Sequence, residues 1–215
     1  MPTQLSALNP QGQKSLTSYN LLTSALADGM PPDMFGLVQP ANELPRLKAR
    51  YRLAGSLKSV ALEGYSDSTS QGYSALLRIH LTYSAAEKYG SLFASGSPSL
   101  LLNNPESGAL LHKILSSPSH TSAFRLVQKR LTNVNLSARL EEADRTLADV
   151  LAAFRHTFVH GELSPGAKDD GSPAVYRLVL RVANLACPFV LTRIDEDLSE
   201  RVERGLAKSE NGRQH

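Results

Sequence analysis

Apolar positions recur at intervals of three and four along most of this chain, the spacing that gathers side chains on one face of a helix. Leu47, Tyr51, Ala54, Leu57, Val60 and Ala61 carry the pattern through residues 44–63, with Arg46, Lys48, Arg50, Arg52 and Lys58 between them. The spacing predicts a long amphipathic helix. A Ser/Asp/Thr cluster from Ser66 to Ser70 marks a turn. Tyr73, Leu76, Leu77, Leu81 and Ala85 then start a second helix, running to about residue 93 and pairing with the first as an antiparallel hairpin. His80 falls close to the apolar side of that helix and reads as a structural or surface histidine. Residues 95–105 form a Ser/Gly/Pro/Asn loop with a small apolar patch at Leu100 to Leu102. Short helices are expected over residues 106–115 and 119–131. Arg125, Lys129 and Arg130 on the latter read as a solvated face.

The strongest periodic segment spans residues 143–161. With Leu147 at zero on a wheel of about 100° per residue, Val150, Leu151, Phe154 and Phe158 fall within roughly 60° of it, a coherent core-facing stripe. Gly161 follows the last periodic position, where a left-handed residue commonly closes a helix, and Pro165 prevents a long continuation. Ser137, at the end of Asn133-Val-Asn135-Leu-Ser137, is placed to cap this helix. On the same wheel Arg155 lies near 80°, His156 near 180° and His160 near 220°, so the two histidines face away from the core stripe. That face also carries Ala148, Ala152 and Ala153, small residues that permit close approach by another part of the chain, a second copy or a ligand.

Both ends of the chain are weaker. Residues 1–39 are rich in Ser, Gln, Asn and Pro, with one apolar cluster at Leu21, Leu22, Ala25 and Leu26 able to form a docked helix. They read as a partly ordered N-terminal arm. After a polar Gly/Asp/Pro loop, Val175, Leu178, Val179, Val182, Leu185, Ala186, Phe189 and Val190 recur at helical spacing. One or two helices interrupted near Pro188 are expected there, and the β-branched content of residues 175–182 leaves a strand as the alternative. The expectation is an all-α, up-and-down bundle of four to six helices over residues 40–207, with residues 208–215 frayed.

Composition narrows this picture little. A length of 215 residues suits one main domain with appendages. No run approaches the ~18 uninterrupted apolar residues of a membrane span. The start, Met-Pro-Thr-Gln-Leu-Ser, has no signal-peptide pattern, so no membrane association and a cytoplasmic location are expected. Cys187 is the single cysteine, which leaves neither an intramolecular disulfide nor a cysteine metal cluster and reads as a small buried apolar residue. The net charge of +3 rests on 15 Arg and 8 Lys. An arginine bias suits phosphate recognition, though a charge this small is a weak sign of nucleic-acid binding. Internal repeats, heptads and Gly-rich phosphate loops are absent from the sequence.

Chemistry concentrates in Arg155-His156-Thr157-Phe158-Val159-His160-Gly161. His156 and His160 are four apart on one helical face, the spacing of two metal ligands. Two are too few, and a zinc protease helix would carry Glu where Thr157 stands, so no metal and no cofactor is expected. No Gly-x-Ser-x-Gly turn supports a Ser/His/Asp triad. Histidine exchanges protons near neutrality and arginine holds phosphate, and those are the parts needed to cleave RNA, whose 2′-hydroxyl is an internal nucleophile. The bland reading is a polar helix end, with histidines placed favourably at the C-terminal dipole.

The stretch resembles the signature of the HEPN superfamily: an Arg, then a polar residue, then a His four to six residues after the Arg. The resemblance implies an all-helical bundle and a homodimer that brings two copies of the motif into one cleft. In many members it also implies metal-independent endoribonuclease activity in toxin–antitoxin or defence systems, with an antitoxin or nucleotidyltransferase-like partner. On that basis Arg155 would bind or polarise the phosphate of RNA, His160 would be the acid–base residue, and His156 would support the pair. The alternative within the same resemblance is a non-catalytic helical scaffold that binds a protein partner or a nucleotide.

Overall fold

The computed structural model describes residues 16–93, 98–141, 144–163 and 173–212. Among these the chain is all-helical, with more helices than the four to six expected: α1 (Tyr19–Ala27), α2 (Leu44–Ser56), α3 (Asp67–Phe93), the single turn α4 (Ser99–Leu102), α5 (Pro105–Leu115), α6 (Pro118–Lys129), α7 (Val134–Glu141), α8 (Leu147–Val159) and α9 (Pro173–Gly212). The two long helices, α3 and α9, pack along each other. Helices α2 and α8 lie against α3, and α5 and α6 lie against α9.

Local chemistry sets several helix starts. Asn104 Oδ1 accepts a hydrogen bond from Ser107 N at the head of α5 (2.9 Å), and Ser117 Oγ accepts one from His120 N at the head of α6 (3.2 Å). At α7 the cap is Asn133, whose Oδ1 accepts from Leu136 N at 3.0 Å. Ser137, expected to cap the helix of residues 143–161, lies instead inside α7, an extra helix ahead of it, and that later helix is capped by Thr146.

Helix α2 stops at Ser56, well short of residue 63. Gly55 and Ser56 are poor helix formers, Leu57 turns extended (ψ 112°), and the Val60 N–H donates to Ser74 Oγ on α3 at 2.9 Å. Helix α3 begins at Asp67, earlier than Tyr73, because its first turns are polar and leave no apolar period to read.

The third departure is α9, 40 residues without a break. Pro188 removes one helical N–H and crowds the preceding turn, a cost of about 3 kcal/mol or more in an isolated helix. Ala183, Ala186, Val190, Leu191 and Ile194 are buried on both sides of it and keep the helix in place. Val175, Val179 and Val182 are buried on one helical face, which excludes the strand, and Ser209–Gly212 remains helical where fraying was expected. By length and composition α9 could cross a bilayer, but half of its most apolar window is buried in the bundle. Cys187 on α9 is buried, and burial pushes its thiol up to about 11.

The N-terminal arm is only partly separate. Residues 1–15 lie outside the described residues, but Leu16, Tyr19, Leu22, Phe35 and Leu37 belong to the core. Thr17 donates from its N–H and its hydroxyl to the Asp195 carboxylate on α9 (2.7 and 2.9 Å). Phe35 packs so closely on Gly205 of α9 that a Cβ there would collide with its ring.

Candidate functional site

Helix α8 carries the site and is fixed at both ends. At its start Thr146 Oγ1 accepts from Asp149 N (3.3 Å) while Asp149 Oδ2 accepts from Thr146 N (3.0 Å), a reciprocal capping box. At its end Gly161 takes φ 71°, the left-handed region open to glycine, and the N–H groups of Glu162 and Leu163 both donate to Thr157 O. Leu163 is buried just beyond, so the chain leaves the helix on a fixed path. The expected stripe of Leu147, Val150, Leu151 and Phe154 is buried, with Phe158 at its margin.

The small-residue face is covered by this chain itself. Ala148 is 3 % exposed and Ala153 0 %, and Ala152 packs against the core from its edge. Contacts with α4, α5, α6 and α7 surround α8 on the sides that α3 does not take. A second copy would therefore have to meet other residues.

Arg155 points toward α3. Its Nη1 lies 3.5 Å from Glu87 Oε1, its guanidinium sits 5.4 Å from the centre of the Tyr83 ring, and its Nε is buried without a partner. His80 is one turn before Tyr83 on the same α3 stripe, with its ring edge-on to Phe158 at 6.4 Å and Nδ1 buried without a partner. Burial, and then the nearby charge of Arg155, holds the His80 imidazole below the usual histidine range. Burial, and then the charge of Glu87, raises the Tyr83 phenol.

His156 and His160 sit on another side. Their rings are 4.3 Å apart, and a hydrogen bond of 3.0 Å joins His156 Nε2 to Thr132 Oγ1 in the turn between α6 and α7. His160 is the exposed C-cap of α8. Arg130, at the end of α6, donates from Nη1 to Glu162 O at 2.9 Å, so residues 130–132 grip the end of α8 at two points. Among the described residues no hydrogen bond or ion pair joins Arg155 to either histidine. Nor, among them, does any group of three or more His, Cys, Asp or Glu side chains converge as a metal set would.

The structure thus brings His156 and His160 together and sends Arg155 elsewhere. Glu87 and Tyr83 were not singled out from sequence, although the spacing of His80, Tyr83 and Glu87 by three and four marks a polar stripe on α3. Thr132 carries no such signal, since only folding brings it to His156. Two imidazoles in contact at the end of α8, with the exposed Arg130 bonded to the carbonyl two residues beyond His160, can move protons and attract an anion. No family model matches the chain, and no curated protein or solved structure shows significant similarity to it.

Proposed function

We propose that this protein is a metal-independent endoribonuclease of HEPN type, a toxin or defence component, that cleaves RNA through its 2′-hydroxyl. The observation that carries the reading is the contacting His156–His160 pair at the exposed end of α8. In this mechanism an imidazole, His160, takes the proton of the 2′-hydroxyl as the 2′-oxygen attacks phosphorus. The bond from phosphorus to the 5′-oxygen breaks, and that oxygen leaves with a proton from a second imidazole, for which His156 stands 4.3 Å away. The products are a 2′,3′-cyclic phosphate and a 5′-hydroxyl. Thr132 fixes the His156 ring, as a group orienting an acid–base residue must.

A homodimer belongs to the same proposal. With the alanines of α8 already covered, exposed apolar residues are offered by Val159, next to His160, and Val134, two residues after Thr132, 56 % and 79 % exposed. A second copy packed there would bring two histidine pairs together across an isologous contact. Light scattering at micromolar concentration is expected to give a dimer, and a strict monomer would count against this part.

The ion pair of Arg155 with Glu87 favours a second reading, a non-catalytic helical scaffold that binds a protein partner or nucleotide, because it ties the motif's arginine into the bundle. One assay separates the two. Incubation with single-stranded RNA in EDTA is expected to show cleavage by the wild type and a loss of about 100-fold or more in His160→Ala. A folded but inactive wild type would support the scaffold, and undiminished cleavage by His160→Ala would remove the site.

A further inference from the structure

We propose that the cation that holds the RNA phosphate at the histidine pair is Arg130, with Arg155 serving to position α8. The proposal rests on the ribonuclease reading for its substrate class, but it makes a claim about binding that stands or falls separately from cleavage.

Geometry divides the two arginines. On α8, Arg155 lies roughly 100° from His156 and roughly 140° from His160 around the helix axis. Its guanidinium is engaged by the Glu87 carboxylate and the Tyr83 ring, and its Nε is buried. To meet a phosphate beside His160 it would have to abandon those partners and cross the helix.

Arg130 needs no such movement. It is exposed, and its Nη1 already donates to the carbonyl of Glu162, two residues beyond His160. That contact uses one of the five N–H donors of a guanidinium and leaves most of the fork free for phosphate oxygens. Thr132, two residues further on, is joined to His156, so the hydrogen bonds of Arg130 and Thr132 reach α8 and its exit on the two sides of His160 in sequence. The turn that carries both is tied down. Arg130 N and Leu131 N donate to Val127 O and Gln128 O, and Asn133 Oδ1 caps α7 immediately afterwards.

Among the described residues, the charges next in sequence to these are Lys129, exposed on the last turn of α6, and Glu162, one of whose carboxylate oxygens is buried. The result is an exposed cation, a hydroxyl and two imidazoles on one surface, contributed by the α6–α7 turn and the end of α8. An RNA strand lying along it would place a phosphate on Arg130 and the adjoining ribose against His160.

The test is binding of a fluorescent single-stranded RNA whose 2′-hydroxyls are all replaced by fluorine, so that binding is read without cleavage. Fluorescence anisotropy across a salt series would be measured for the wild type and for Arg130→Ala, Arg155→Ala and Arg125→Ala. Arg125 is an exposed α6 residue that controls for loss of one charge. Arg130→Ala is expected to weaken binding about five- to tenfold and to reduce the salt slope by about 1. Arg155→Ala and Arg125→Ala are expected to stay within about twofold of wild type, with circular dichroism confirming that each variant is folded. Equal affinity of Arg130→Ala and wild type, a larger loss in Arg155→Ala than in Arg130→Ala, or no binding by the wild type at low salt would each overturn the proposal. Binding that depends on Arg130 in a protein that cleaves no natural RNA would uphold it while removing the ribonuclease reading.

Discussion

The two sides of α8 make opposite use of adjacent residues. Arg155 faces α3, where it meets the Glu87 carboxylate and the Tyr83 ring, with the half-buried His80 imidazole near enough to feel its charge. One residue on, His156 turns to the α6–α7 turn and meets Thr132 and His160, with Arg130 beside them. Neighbours in sequence on a helix are about 100° apart in space, so a compact linear motif need not be a compact site. On the α3 side the charged pair lies against the bundle. On the other the polar groups face outward.

The two sides should fail differently. The largest difference is expected for His160→Ala, which should lose about 100-fold or more of any RNA cleavage while keeping its stability within about 0.5 kcal/mol, as exposed substitutions usually do. Urea denaturation run beside the cleavage assay checks both halves. Arg155→Ala should do the reverse and lose about 0.5–1 kcal/mol, since its pair with Glu87 is partly exposed (38 % and 34 %) and screened by solvent, while its guanidinium lies over the Tyr83 ring. Glu87→Gln should reproduce part of that loss, whereas unchanged unfolding midpoints for both variants would break the comparison.

The smallest effect is on pH dependence. In the folded protein burial and the Arg155 charge hold His80 below its ordinary value, so the unfolded chain binds the proton more readily. The corresponding stability is fully present above the unfolded value of about 6.5 and is lost as pH falls from there toward the lower folded value. His120, lowered by burial and by Arg181 and Arg177, acts in the same direction. Urea midpoints are therefore expected to drop between pH 7.5 and 5.5, and to drop less in His80→Phe. A slope unchanged by that substitution would show that His80 does not titrate with folding.

What was legible in the sequence follows the same division. The apolar period found the core stripe of α8, the left-handed stop at Gly161 and the bodies of α3, α5 and α6, because each depends on residues close in sequence. It overextended α2 past Gly55, where a hydroxyl of α3 captures the backbone, and it divided α9 at Pro188, where packing from both sides overrides the proline. The contact of His156 with His160 could be read from their spacing. The partners Thr132 and Arg130 could not, since they lie more than twenty residues away and arrive only through the turn out of α6. Ala148 and Ala153 signalled a close approach, and the fold answers that signal within one chain.

The most direct measurement is a two-dimensional NMR spectrum of the histidine and tyrosine ring signals during titration with the 2′-fluoro RNA. The account predicts shifts for His156 and His160 with little change at His80 and Tyr83, which lie on the α3 side. Shifts confined to His80 and Tyr83, with His156 and His160 unmoved, would contradict it.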